Sequence, residues 1–144
     1  MRLGLNFIAC VLLLQLLSCS VEPQPIEYGA DECHRCKMII SQKQFGAQLV
    51  TTKGRAYKYD AIECLIPVLL EHGEDHYSHI LVTDYHTPGQ LIAAHEASYL
   101  ISEGLPSPMG GNLSAYDSKQ QAIAAADQYQ GKVYDWSGIK ANFE

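Results

Sequence analysis

The sequence predicts an α+β fold in which two related ββαβ units pack as one compact domain. Three observations lead there. A strand, strand, helix, strand pattern occurs twice, a Tyr-Asp pair precedes the helix in each copy, and 144 residues with 47% apolar side chains can bury one core. The first copy covers about residues 45–85. Its opening strand is FGAQLVT (45–51), Lys53-Gly54 supplies a turn, and the second strand runs from Arg55 to Tyr59. A helix from Ala61 to about His72 follows, with Ile62, Leu65, Ile66 and Leu69 at helical spacing, Asp60 as N-cap, Glu63 at the capping-box position and Gly73 as the stop. Pro67 falls inside that helix, where it removes a hydrogen bond and crowds the preceding turn, so a kink or early break is expected. SHILVTD (78–84) closes the unit.

The second copy covers about residues 97–137. ASYLI (97–101) is its first strand, Pro106 to Gly111 a loop, and Asn112 to Tyr116 its second strand. Asp117 or Ser118 caps a helix from Lys119 to Gln130, Ser118 and Gln121 having capping-box spacing. Ala122, Ile123, Ala126 and Tyr129 mark its apolar face, Gly131 stops it, and KVYDW (132–136) is the last strand.

The N-terminus reads as a processed segment. Met1-Arg2 is a basic start, and residues 3–17 are an apolar core of signal-peptide length. Leu16-Leu17-Ser18-Cys19 looks like a bacterial lipobox, which implies cleavage before Cys19 and a lipid on its thiol. Each buried methylene of an acyl chain contributes about 0.8 kcal/mol, so several chains hold a small domain at a bilayer. Residues 1–18 are then signal, 19–30 (with two of the Pro residues) a lipid-anchored tether, and 31–144 the folded domain. Cleavage removes Arg2 and no acid, leaving 126 residues with 9 basic and 16 acidic side chains. With no Lys/Arg cluster, the chain offers no footprint for a phosphate backbone, and nucleic-acid binding is excluded. Its 18% charged fraction also argues against disorder.

Of five cysteines, Cys10 leaves with the signal and Cys19 carries lipid, so Cys33, Cys36 and Cys64 remain. An odd number in an exported protein argues against a purely structural disulfide framework and for a free thiol or metal ligand. Cys36 and Met38 alternate by two, so in an extended segment they present thiolate and thioether on one side; Cys33 joins them if residues 33–36 turn. Thioether sulfur is a soft neutral donor suited to Cu(I), whereas Zn(II) prefers thiolate, imidazole and carboxylate. The other mature methionine, Met109, lies in Ser107-Pro108-Met109-Gly110-Gly111, a shaped loop from which a side chain can reach a metal. Cys64 sits near the predicted helix N-terminus, where the dipole lowers a thiol pKa, although a buried inert cysteine is the plainer role.

Cys33-x-x-Cys36-x-Met38, the following FGAQLVTTKGRAYKYDAIEC, and Pro108-Met109-Gly110-Gly111 with its downstream YDSKQQAIAAA helix and GKVYDW strand together resemble the NosL family of nitrous oxide reductase accessory lipoproteins. The similarity covers about residues 30–137. It implies a non-enzymatic, membrane-anchored periplasmic Cu(I) chaperone that supplies nitrous oxide reductase and works with its membrane maturation transporter complex. It also implies two ββαβ units similar to a domain of organomercurial lyase. Mapped by motif, the copper ligands implied are Cys36, Met38 and Met109, with Cys33 as a further metal candidate and Cys64 as a possible additional thiol.

Two other readings share these residues. A thiol-disulfide oxidoreductase would use Cys33 and Cys36, but the motif precedes the first strand instead of opening a helix in a βαβ unit. Structural zinc would use Cys33, Cys36, Cys64 and a histidine. His72, His76 and His79 form a spaced group beside Glu74-Asp75, more consistent with a solvated turn than a second site, and His34 lies within the Cys-x-x-Cys loop.

Overall fold

A computed structural model describes residues 21–144; the signal segment, Cys10 and the proposed lipid-bearing Cys19 lie outside the described residues. Strands β1 (Ala47–Thr51), β2 (Ala56–Tyr59), β3 (Tyr77–Thr83) and β4 (Leu91–Ala93) form an antiparallel sheet in the order β2-β1-β3-β4. Strands β5 (Ser98–Ile101), β6 (Leu113–Tyr116) and β7 (Lys132–Tyr134) form a second, ordered β6-β5-β7. Helix α1 (Ile62–His72) joins β2 to β3, α2 (Lys119–Tyr129) joins β6 to β7, and α3 (Trp136–Lys140) ends the domain. In each unit the first strand is central, the second pairs antiparallel on one side and the third, arriving from the helix, on the other. The two units thus share one ββαβ topology.

Strand alternation places the core. In the second sheet Tyr99, Leu113 and Ala115 face the main core with Ile62, Leu65 and Leu69 of α1, while Leu100 and Tyr116 face α2 through Ala122 and Ala125. Helix α1 packs on β1 and β2 and also on β6, so it is the element shared by both sheets. Residues 21–30 contain no helix or strand and lie along the first sheet: Gln24 exchanges two hydrogen bonds with the buried Gln48 amide at 2.8 and 2.6 Å, and the Val21 carbonyl lies 3.0 Å from His79 Nε2. Among the described residues no helix is long and apolar enough to cross a membrane.

Several local expectations are corrected. Pro67 does not end α1, which continues to His72. A proline costs a helix interior about 3 kcal/mol, whereas Ile62, Leu65, Ile66 and Leu69 are each buried between the sheets, worth about 1.5–3 kcal/mol apiece. Asp60 does not cap α1: the N-cap is Ala61 with no side-chain bond, because Asp60 is buried beside Ser41 and Glu63 reaches away to the second unit. Ser118 does cap α2, accepting the Gln121 amide at 3.3 Å, but the reciprocal Gln121 oxygen has no partner. The face of α2 is rotated from the sequence reading, with Ala125 buried and Ile123 exposed. Trp136 is the first residue of α3, not the end of a strand, because Asp135 caps the Gly138 amide at 2.7 Å. The short edge strand β4, carried back by the Pro88-Gly89 turn, has no alternation signal of its own in the sequence.

Candidate metal centre

The segment before β1 folds into a closed knuckle. Cys33 N–H donates to the Met38 carbonyl at 2.8 Å, Lys37 N–H donates back to the Cys33 carbonyl at 3.0 Å, and Glu32 and Ile39 form an antiparallel bridge. Lys37 takes the left-handed conformation, φ 65°, which turns the chain between the second cysteine and Met38. The pair Cys36 and Met38 is therefore not on an extended segment, and strand alternation does not describe it. His34 N–H donates to the Lys58 carbonyl at 2.8 Å and fastens the knuckle to β2; its ring packs on Tyr57 at 4.4 Å.

The knuckle brings three thiols together. Cys33 and Cys36 meet Cys64 from the first turn of α1, with all three sulfur atoms within 4.8 Å of one another. None is in a disulfide; Cys33 and Cys64 are buried and Cys36 is half-buried. Cys64, which spacing alone could not join to the motif, arrives because β2 runs past the knuckle and hands the chain to α1 at its mouth. Among the described residues these cysteines are the only group of three or more Cys, His or carboxylate donors close enough to hold one ion.

The electrostatics of the trio are asymmetric. The Cys64 thiol donates to Cys33, and backbone amides of Cys36, Asp60 and Arg35 point at the same sulfur; together they outweigh burial and hold Cys33 down to about 4. Burial raises Cys36, and donation to Cys33 followed by burial pushes Cys64 far up. The arrangement favours negative charge on Cys33 over its two neighbours. Such a site accepts a soft cation by releasing further protons, and its half-buried member is the one an incoming group reaches first.

The two methionines are exposed. Met38 is 43% exposed on the knuckle, with its carbonyl already fixed by Cys33, and Met109 is 37% exposed on the loop between β5 and β6. That loop is tied to the cysteine site through Glu63, the residue before Cys64. The Ser107 hydroxyl donates to Glu63 Oε1, the Gly111 and Leu113 amides support the same carboxylate, and a Cβ on Gly111 would meet Glu63 Oε1 at 2.8 Å. The Ser107 Oγ in turn accepts the Asn112 amide at 2.9 Å. A buried carboxylate thus shapes the Met-Gly-Gly loop against the first turn of α1. Sequence reading assigned Glu63 to a helix cap and missed this link, which no local spacing encodes.

The histidine group does not assemble. His79 turns to the Val21 carbonyl, while His72 and His76 open onto a cleft, and His95 bonds Glu74 Oε2 at 2.8 Å.

Residues 25–143 match the NosL family profile. The fold is similar to the crystal structure of the copper chaperone NosL from Shewanella denitrificans, with a TM-score of 0.69 and 23% identity over 82% of this chain and 95% of that one. No curated protein matches the chain significantly. With the profile spanning nearly the whole folded part, the chain belongs to the NosL family.

Proposed function

We propose that this chain is a Cu(I) chaperone of the periplasm, held to a membrane by lipid on Cys19, that delivers copper for maturation of nitrous oxide reductase together with its membrane transporter complex. Family membership and the likeness to a copper chaperone support the carrier role over an enzymatic one. The observation that carries the metal assignment is the trio Cys33, Cys36 and Cys64, three free sulfurs within 4.8 Å of one another.

The surrounding donors favour Cu(I) among soft cations. Met38 and Met109, the only methionines among the described residues, lie on the knuckle and on the loop tied beside Cys64. Thioethers add soft coordination without further charge, so the ion is selected yet remains exchangeable. In this reading Cys36, Met38 and Met109 hold copper on the open side, and Cys33 and Cys64 complete or support the site from beneath. Transfer proceeds by ligand exchange: an incoming donor adds to Cu(I) as a thioether leaves, with no change in oxidation state and no free ion.

Competition between the reduced protein and a chromogenic Cu(I) chelator tests this directly. About one Cu(I) per chain is expected, bound far more tightly than Zn(II). Unchanged Cu(I) affinity in both Cys36→Ala and Met38→Leu would falsify the site. Preferential Zn(II) retention would favour the structural-zinc reading, and sustained disulfide exchange that survives Met109→Leu would favour the redox one.

A further inference from the structure

Beside the knuckle lies a cleft of about 520 Å³ that the copper site does not use. His34 of the knuckle, Lys53 and Arg55 of the β1–β2 turn, His72 at the end of α1 and His76 just after it line the cleft. Tyr57 and Tyr77 supply aromatic walls. No carboxylate lines it, in a chain whose formal charge is -6. The ion pairs among the described residues are Lys58–Asp31, His95–Glu74 and Lys140–Glu74, so Lys53 and Arg55 have no acidic partner there. Arg55 is held over the Tyr57 ring at 4.9 Å, which orients its guanidinium at the cleft.

Charge complementarity points to the occupant: two exposed cations without acidic partners, flanked by aromatic rings, fit a segment carrying carboxylates. The α1 C-terminus opposes an anion with about half a charge, less than the two full cations of Lys53 and Arg55.

We infer that this cleft docks an acidic peptide segment of the protein with which the chain exchanges metal. This rests on the copper-carrier reading above. Carboxylate side chains pair with Arg55 and Lys53, their chain lies along Tyr57 and Tyr77, and the bound segment ends at His34, inside the Cys33-x-x-Cys36 turn. Docking there sets the partner's incoming donor beside Cys36. Lys53 and Arg55 come from one turn, and the fold sets His34, Tyr57 and Tyr77 around them.

The test is an amide-resolved NMR titration of the purified protein with hexaglutamate, hexaglutamine and inorganic sulfate at matched ionic strength. Hexaglutamate is expected to shift the amides of His34, Arg55, Tyr57 and Tyr77, with binding weakened about tenfold by Arg55→Glu or Lys53→Glu and left unchanged by Lys132→Glu on β7. Salt at about 0.5 M should abolish it. Equal shifts with hexaglutamine, the same shifts with sulfate alone, or insensitivity to both charge reversals would overturn the proposal. Cu(I) affinity measured on the same variants separates the two readings: loss of peptide binding with copper retained refutes only the docking site, and absence of copper binding with peptide retained refutes only the carrier.

Discussion

Ser107 donates its hydroxyl proton to the buried carboxylate of Glu63, and that single bond joins the Met109 loop of the second unit to the residue before Cys64 in the first. The knuckle sulfurs precede both repeats, Cys64 comes from the first and Met109 from the second, and the Glu63–Ser107 bond spans 44 positions of sequence.

Ser107→Ala should cost about 1–3 kcal/mol in urea unfolding, because Glu63 is 9% exposed, keeps one oxygen unpartnered already, and would lose its side-chain donor. Burial raises the Glu63 pKa above the ordinary carboxylate value. A raised acid supports folding most when protonated, so its contribution is full below the unfolded pKa and is lost as pH rises through the folded one. Glu63→Gln should therefore flatten the decline of stability above about pH 4.3. An unchanged pH slope in that variant would remove the carboxylate from this role.

Gly131 and Gln130 exchange the roles their residue types suggest. Gln130 has φ 56°, the left-handed conformation glycine favours, while a Cβ on Gly131 would lie 2.4 Å from the Ile101 carbonyl oxygen. Gly131 is needed for close approach to β5, not as a helix stop. Gln130→Gly should be neutral or stabilising by about 0.5–1 kcal/mol, whereas Gly131→Ala should destabilise by about 2 kcal/mol or more. Equal thermal shifts for the two would contradict this assignment.

What the sequence disclosed follows the range of the interactions involved. The duplicated ββαβ pattern and the buried face of α1 are local and periodic, and both were legible. The Cys33-x-x-Cys36-x-Met38 and Met109 motifs were legible as chemistry. Cys64 was legible only as a possible additional thiol, since its proximity depends on β2 crossing the knuckle, and Glu63 was misread because its spacing from Asp60 imitates a cap while its partner is Ser107. Pro67 misled for an energetic reason: its helix penalty is local, whereas the burial of Ile62, Leu65, Ile66 and Leu69 that overrides it exists only in the tertiary fold.

Glu74 links the turn after α1 to the C-terminal helix, accepting Trp136 Nε1 at 3.0 Å and Lys140 Nζ at 2.5 Å, with His95 Nε2 at 2.8 Å. Burial works against its charge, but the bonds from Lys140, His95 and Trp136 together hold its pKa below the usual value. A depressed acid stabilises fully above its unfolded pKa, about 4.3, and that support is lost as pH falls through the lower folded value. Glu74→Gln should lower stability at neutral pH and blunt the acid-unfolding limb below about pH 4.3, followed by tryptophan fluorescence of Trp136. Parallel acid limbs in the two proteins would exclude this network as a source of pH dependence.

Cys64 gives the sharpest separation between a buried spectator and a ligand. A spectator changed to alanine costs packing alone, and its removal leaves the other two sulfurs as they were. The Cys64 thiol donates to Cys33 and, with the backbone amides, lowers its pKa. Cys64→Ala should therefore raise the pH at which Cys33 reacts with iodoacetamide, read by peptide mass spectrometry in a Cys36→Ser background. It should also weaken Cu(I) by about tenfold or more in chelator competition. Cys64→Ser, which returns a hydroxyl donor without a soft ligand, should restore part of the low-pH reactivity of Cys33 but not the copper affinity. Full Cu(I) affinity in both variants would leave Cys64 as a packing residue and confine the metal to Cys33, Cys36 and the two thioethers.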